Sequence, residues 1–554
     1  MRCRLLISVF ILALTAIVFP AVRSPLVSKT QAASRAQAAV ATQIARPKLV
    51  LVLVIDQFRY DYLVRFRPYF VRGGFNRLLE GGANFIDCKY DYATTATCPG
   101  HASLFTGAYP NIHGIIGNEW YDSRRGRRVY CVEDPETQLV GGSVGPGFSP
   151  RKLMGDTIGD ELHLATDFKS KVIAISLKDR ASVIPGGHTA DAAYWYDGLT
   201  GHFVTSTYYM KSLPSWVAAY DSPPPAKAYC GRNWEALPET PDAGGKVLKE
   251  FTPNGGPKDG ETCPDTKFIG WLTVTPYMNQ IELNFALDAI KNEHLGQGST
   301  TDLLAISLSV NDYVGHAFGP YSPQVADVTL RTDRYLADFF QGLNQLVGLD
   351  NVWIALSADH GVAPTQKFSV EHHLSGPKAP PLAVEAAVER ALSEAYGQDH
   401  WVQDVDEFYV SLNAMTLAKH NVDVAKAREI AAHAASSVPG VRAAFTRSQL
   451  IDGPLPDSPL AHKASNSFNE KRSGDVFLVP DPYAATSPPA ITSEHGAPWN
   501  YDAQVPLILW GNAFKAGTYA IPCQPIDLAP TLAAALQLTQ PSGAQGSPLA
   551  VALR

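Results

Sequence analysis

The run LVLVLVI, Leu49 to Ile55, is unbroken by any polar residue and stops at Asp56. A strand with one wet face alternates apolar and polar residues. A short run rich in branched side chains that halts abruptly at a charge reads instead as a strand buried on both faces of a parallel sheet. The pattern returns along the chain. Val172-Ile173-Ala174-Ile175 leads to Lys178, Leu303 to Leu308 leads to Asp312, and Val352 to Leu356 leads to Asp359-His360. Val505 to Trp510 lies downstream of His495. Helical patterns separate these runs, notably Ile281 to Asn292 and Val325 to Leu346. Strands alternating with helices predict an α/β fold: a large, mainly parallel central sheet with helices on both faces. Open sheets of this kind gather ligands beyond the carboxyl ends of their strands. Asp56, Lys178, Asp312, Asp359 and His360 are therefore expected along one edge.

With 554 residues, the chain is long enough for one large domain carrying insertions. Residues 41–554 are expected to form it, with two excursions. The first, at about 221–267, is rich in Pro and Gly. The second, at about 380–450, has a helix at Ala383 to Ala395, a strand-like Glu407 to Val410, a helix at Asp423 to Ser436 and a strand-like Val441 to Phe445, which together predict inserted cap elements. The segment before residue 41 has Arg2 and Arg4 ahead of an apolar run from Leu5 to Val22, and no acidic residue precedes Asp56. It reads as a bacterial signal peptide and linker, 1–40, so the protein is expected in the periplasm or secreted. Membrane contact is expected only if that signal stays uncleaved as an anchor.

The net charge of -7, with no long basic run, disfavours nucleic acid as a partner. Six cysteines follow the signal: Cys88, Cys98, Cys131, Cys230, Cys263 and Cys523. In an oxidising compartment they suggest disulfides, though their spacing leaves the pairing open.

The stretch TTATCPGHASLFTG, Thr94 to Gly107, offers two candidate nucleophiles, Thr97 and Cys98, ahead of a helical run. Either could be no more than part of a turn. Asp312 and His316 stand four apart, so one helical turn aims both the same way. Alone, that spacing fits a surface turn equally well, and Asp359-His360 or His495 could belong to ordinary loops. Taken together, Asp56, Asp312, Asp359, His316, His360 and His495 offer the oxygen and imidazole donors that Zn²⁺ prefers. A hydroxyl is needed to complete two such sites. Thr97, at a helix N-terminus favourable to anions, can supply it, and a coordinated hydroxyl ionises more readily. Cys98 has no base nearby and is read as a disulfide or buried thiol.

These residues, in this order, resemble the alkaline phosphatase superfamily: Asp56, Thr97-x-Pro-Gly-His, Asp312-x-x-Gly-His316, Asp359-His360-Gly, His495-Gly and, near the end, Asp527-Leu-Ala-Pro-Thr531. The resemblance runs from about Leu49 to Leu538. It implies two Zn²⁺ per chain. One would be held by Asp312, His316 and His495, and the other by Asp56, Asp359, His360 and the Thr97 oxygen. It further implies in-line attack by Thr97 on phosphorus and a phosphothreonine that water then cleaves. Sulfatases of the superfamily carry Cys or Ser where Thr97 stands and Arg where His101 stands, so that branch fits poorly. Asn118 resembles an asparagine that donates to a phosphoryl oxygen. Lys178-Asp-Arg180 resembles the Lys-x-Arg pair of the phosphate-irrepressible bacterial alkaline phosphatases, where two cations favour a monoester dianion over a diester. The expected activity is hydrolysis of small phosphate monoesters by a monomer. The alternative is a nucleotide pyrophosphatase/phosphodiesterase with the same two-zinc core.

Overall fold

The apolar run at Leu49–Ile55 forms strand β1, and every residue in it is buried. In a computed structural model that describes residues 45–250, 263–374, 381–406, 408–484 and 492–554, β1 is central to an eleven-stranded sheet. Its neighbours are the other runs singled out above. Strands β2 (Val172–Ser176), β3 (Asp302–Leu308), β4 (Val352–Ser357) and β5 (Leu507–Trp510) stand in the order β5-β4-β1-β3-β2. The β1–β3, β1–β4 and β3–β2 pairings are parallel. The strand β5 pairs antiparallel with β4, Leu507 opposite Ser357. It therefore presents its amino end where the others present their carboxyl ends. The sheet is mainly, not wholly, parallel.

Both faces are covered. Leu49, Leu51, Leu53 and Ile55 share a core with Phe285, Phe339 and Phe340 from the helices Tyr277–Asn292 and Pro323–Leu346. The opposite face carries helix α1, Thr97–Thr106, all of it buried. His101 Nε2 meets Ser307 Oγ of β3 at 2.8 Å, and Ser307 is the register partner of Val54. Alternate residues of one strand thus fill two cores, so the run shows no polar position.

The insertions are built as small units. In the first, Trp234–Glu235 and Val247–Lys249 form an antiparallel pair. The Trp234 indole N–H donates to Asp327 on the sheet-covering helix at 2.7 Å. In the second, Pro381–Tyr396 and Val424–Ser436 are helices over a four-stranded sheet with its own core around Val388, Leu392, Trp401 and Ala431. One boundary differs from the sequence expectation. Val476–Pro480 is a strand of this sheet, between Tyr409–Leu412 and Val441–Thr446, so the unit reaches past residue 450. The expected signal at 1–40 and Glu407 lie outside the described residues. Among the described residues, no helix is long and apolar enough to cross a membrane.

Two cysteine pairs are bonded, Cys98–Cys131 and Cys230–Cys263. Cys88 and Cys523 are buried free thiols on residues joined by a parallel bridge.

Candidate active site

Each strand end delivers one part of a buried cluster. Asp56 leaves β1 directly. Asp359 and His360 leave β4 two and three residues after Ser357. Asp312 and His316 lie on helix α3, Val310–Phe318, which follows β3. Lys178 precedes helix α2, Asp179–Gly186, after β2. His495 comes from the loop ahead of β5, whose antiparallel direction brings that loop to the same edge. Asp56, Asp359 and His360 are wholly buried, and Thr97 and Asp312 nearly so.

The distances define one continuous set. His360 Nε2 lies 3.5 Å from Asp56 Oδ1 and 3.6 Å from Asp359 Oδ2. The Thr97 hydroxyl is 3.5 Å from the same nitrogen. Asp312 Oδ1 is 3.1 Å from His316 Nε2 and 3.8 Å from His495 Nε2. The rings of His360 and His495 stack with centroids 3.7 Å apart, joining the two halves. All seven residues expected as metal ligands are therefore brought together. The grouping of donors is not unique. Asp56, Asp359 and His360 converge as one set, while His495 converges both with Asp312 and His360 and with His316 and Glu494.

The electrostatics of this set call for cations. Three carboxylates face one lysine, and water does not screen them. Burial, with the charges of Asp359 and Asp312, pushes the Asp56 carboxyl well above the usual range. Asp312 is pulled well below it, because His316 and Lys178 outweigh its burial. His316 rises to about 9, since the Asp312 carboxylate outweighs burial. Burial drives His360 down and His495 far down, with His360 and His316 adding to the effect on His495. The neutral imidazoles of His360 and His495 beside carboxylates are donors for a divalent metal, and a metal would displace the proton from His316. Asp56 Oδ1 is buried and accepts no hydrogen bond, and Asp359 Oδ2 has only a share of the His101 Nδ1–H, at 3.2 Å, which also meets Thr97 O. A buried carboxylate oxygen without a donor is costly. A cation at these two oxygens removes that cost, so the residues fit the expected metal.

The other expected residues surround the cluster. Cys98 N–H, in the first turn of α1, donates to Asn118 Oδ1 at 2.9 Å. That bond fixes the amide orientation and leaves Asn118 Nδ2 as the donor facing elsewhere. The Cys98–Cys131 disulfide ties the same two segments, and Cys131 N–H donates to Asn118 O. Lys178 Nζ bridges Asp56 Oδ2 at 2.7 Å and Asp312 Oδ2 at 2.6 Å. Two of its three N–H donors are thus committed to carboxylates expected as metal ligands rather than free for an anion. Arg180 donates from Nη1 to the Tyr130 hydroxyl at 3.1 Å, and its buried Nε has no partner.

Several supporting residues were not anticipated. Gln57, at φ 62°, donates its backbone N–H to Asp359 Oδ1 and its amide to Asp312 Oδ1. Asn311 donates to the carbonyls of Asp56 and Gln57. Glu494 stands 3.9 Å from His316 Nδ1. The one sequence sign of Gln57 is its place directly after Asp56.

Residues 50–496 match the family described as type I phosphodiesterase/nucleotide pyrophosphatase. The chain is 36% identical over 529 residues to alkaline phosphatase PafA of Elizabethkingia meningoseptica, covering 91% of this chain and 94% of that one. It is 37% identical over 520 residues to alkaline phosphatase PhoV of Synechococcus elongatus, covering 91% and 92%. The crystal structure of wild-type PafA superposes with a TM-score of 0.85 at 34% identity, covering 93% of this chain and all of that one. A PafA variant changed at one threonine, one asparagine, one lysine and one arginine superposes with a TM-score of 0.84 at the same identity and coverage. The shared fold, the extent of the match and the convergence of Asp56, Thr97, Asp312, Asp359 and the three histidines on one edge lead to one conclusion: this chain belongs to the type I phosphodiesterase/nucleotide pyrophosphatase family, with alkaline phosphatases among its relatives.

Proposed function

We propose that the protein is an exported, zinc-dependent alkaline phosphatase that hydrolyses small phosphate monoesters through a phosphothreonine at Thr97. The observation that carries the reading is the place of the Thr97 hydroxyl. It stands at the first turn of a buried helix, 3.5 Å from His360 Nε2, a nitrogen that also faces the donor-less Asp56 Oδ1. Asp312, His316 and His495 would hold one Zn²⁺, and Asp56, Asp359 and His360 the other, with the Thr97 oxygen. Bound Zn²⁺ supplies positive charge that acidifies the threonine hydroxyl and offsets charge on the phosphoryl group.

The protein's own groups do the rest. Thr97 Oγ1 forms the bond to phosphorus as the bond to the leaving oxygen breaks, and the leaving oxygen takes up a proton. Water then attacks the phosphothreonine, returning the hydroxyl and releasing phosphate. Asn118 Nδ2 donates to a phosphoryl oxygen, with its amide set by the Cys98 N–H. Arg180, its guanidinium bonded only through Nη1 to Tyr130, has further N–H groups to donate to a second oxygen. Lys178 keeps Asp56 and Asp312 apart in charge and holds both in place. The four replaced residue types in the PafA variant support these roles: their intervals are those of Thr97 to Asn118 and of Lys178 to Arg180.

The family description itself favours a second reading, a phosphodiesterase on the same core. A monoester dianion has three non-bridging oxygens for Asn118 and Arg180, whereas a diester has two and one charge fewer. The test compares kcat/KM for a monoester and a diester of the same leaving group. Arg180→Ala is expected to lower the monoester value at least 10-fold more than the diester value. Equal losses with a faster wild-type diester reaction would assign the diesterase. Thr97→Ala is expected to abolish turnover of both while zinc content stays at two per chain.

A further inference from the structure

A second concentration of positive charge lies away from the metal cluster. A cavity of about 460 Å³ opens between the hairpin of Glu119–Asp122 with Arg127–Tyr130 and the four-stranded sheet of the second insertion. Eight lysines and arginines line it against three carboxylates, and none of the expected metal ligands takes part. Half of that charge is neutralised locally: Arg428 pairs with Asp475 at 2.8 Å, Arg151 with Asp134 and Glu136, Arg125 with Glu133 at 3.1 Å, and Lys152 with Glu133 at 3.8 Å. The rest is not. Among the described residues, Arg124, Arg447, Lys471 and Arg472 have no carboxylate within 4 Å, the limit for an ion pair.

Two of the unpaired cations, Arg447 and Arg472, are held in place by neutral groups. Arg472 donates to Gly114 O and lies over the Trp120 ring at 5.1 Å. Arg447 donates to Ser473 O and Glu470 O and lies over Phe468. Beside them, the ion-paired Lys152 also donates to Glu133 O. Burial lowers Arg472 to about 10. Burial also lowers Lys152 to about 8, against the pull of Glu133 and with Arg125 and Arg472 adding to the fall. Burial and the neighbouring Arg428 lower Arg447 too, against the pull of Asp475 and Glu470. Cations crowded into a partly dry cavity repel one another, and bringing in an anion turns that cost into attraction. Guanidinium forks fixed by backbone carbonyls are preorganised for tetrahedral oxyanions. The volume admits a small molecule and excludes a folded partner.

We propose that this cavity is a second anion site that binds a phosphate dianion or the phosphoryl group of a small ester, separate from the catalytic cluster. The proposal does not rest on the reaction assigned to Thr97. The test is equilibrium dialysis of the zinc-loaded protein with radiolabelled inorganic phosphate, in wild type and in Arg447→Gln/Lys471→Gln. Wild type is expected to bind two phosphates per chain. The double variant should bind one, with the second site weakened at least 10-fold and kcat/KM for a small monoester unchanged within about 2-fold. If that variant fails to fold, Arg124→Gln, on the exposed turn of the hairpin, gives the same reading with a smaller loss. Phenylphosphonate distinguishes the source: displacement of the second phosphate assigns the site to ester phosphoryl groups, and no displacement assigns it to free phosphate. Phosphate binding by the double variant equal to that of wild type, in number and in affinity, would overturn the proposal, whatever the catalytic cluster itself binds.

Discussion

Asp221 shows how a single side chain makes stability depend on pH. It ends the helix Ser215–Tyr220, accepts the Phe203 N–H at 3.0 Å through Oδ2, and leaves Oδ1 buried without a donor. Burial raises its carboxyl to about 7. The folded state therefore holds this proton where the unfolded chain has released it. Stability from Asp221 is full below the unfolded value near 4 and declines as pH climbs to about 7. Asp221→Asn removes that dependence. Its advantage in unfolding free energy over wild type is expected to grow by about 1–2 kcal/mol between pH 5.5 and 8, after allowing for partial solvent screening. Denaturant titration at the two pH values checks this, and an unchanged difference would mean that Asp221 ionises freely in the fold. Sequence alone exposes such a residue poorly, because its surroundings come from strands and helices distant in the chain. The candidate ligands were legible for the opposite reason: Asp56 and Asp359-His360 each end an apolar run, and the α/β rule places such ends together. Gln57 was not, since its part depends on a left-handed backbone turn. The disulfide at Cys98 was open among several pairings and needed three-dimensional proximity to choose Cys131.

Helix α1 is positioned by the absence of a side chain. Gly100 faces the backbone leaving β4, and a Cβ there would sit 2.2 Å from Asp359 O and 2.6 Å from Asp359 Cβ. Glycine is what lets the helix that carries Thr97 press against the segment that carries Asp359 and His360. Gly100→Ala cannot be absorbed by a rotamer change, because the obstructing atoms are backbone and Cβ. The helix must move, and overpacking of this kind costs about 1–3 kcal/mol. A shift of Thr97 by a fraction of an ångström is expected to lower kcat at least 10-fold, with a smaller effect on zinc content. Steady-state kinetics with metal analysis tests it; unchanged kcat would mean that the contact is slack. The stretch read from sequence as a turn or a helix start, but the close approach behind Gly100 was invisible. The elements themselves were easier to read. The helices at Tyr277–Asn292 and Pro323–Leu346 begin only a few residues before the periodic stretches that announce them. The strand Val476–Pro480 was missed as part of the second insertion because only its partners, 30 to 70 residues upstream, tell which sheet it joins.

The large sheet gathers buried carboxylates that its own side chains balance only by holding Asp56 protonated and His316 charged. The large sheet delivers Asp56, Asp312 and Asp359 to one buried edge, and Lys178 alone answers them within ion-pair distance as a permanent cation. Like charges held together without water destabilise a fold, and carboxylate oxygens short of donors add to the cost. Metal binding to the folded state repays this by mass action, at about 4 kcal/mol when free metal exceeds its dissociation constant a thousandfold. Dialysis against a chelator is therefore expected to abolish phosphatase activity and also to lower Tm by several degrees. Returning Zn²⁺ should restore both together, at two equivalents per chain. The small sheet of the second insertion has its own core around Leu392 and Trp401 and contributes no expected ligand. Near-ultraviolet dichroism of the stripped protein should therefore keep the signal of Trp401 and lose that of aromatics near the cluster, such as Tyr90, whose hydroxyl donates to Ala358 O just before Asp359. A stripped protein with unchanged Tm and full activity would show that the carboxylates are balanced by some other means, and the two-metal reading would fall with it.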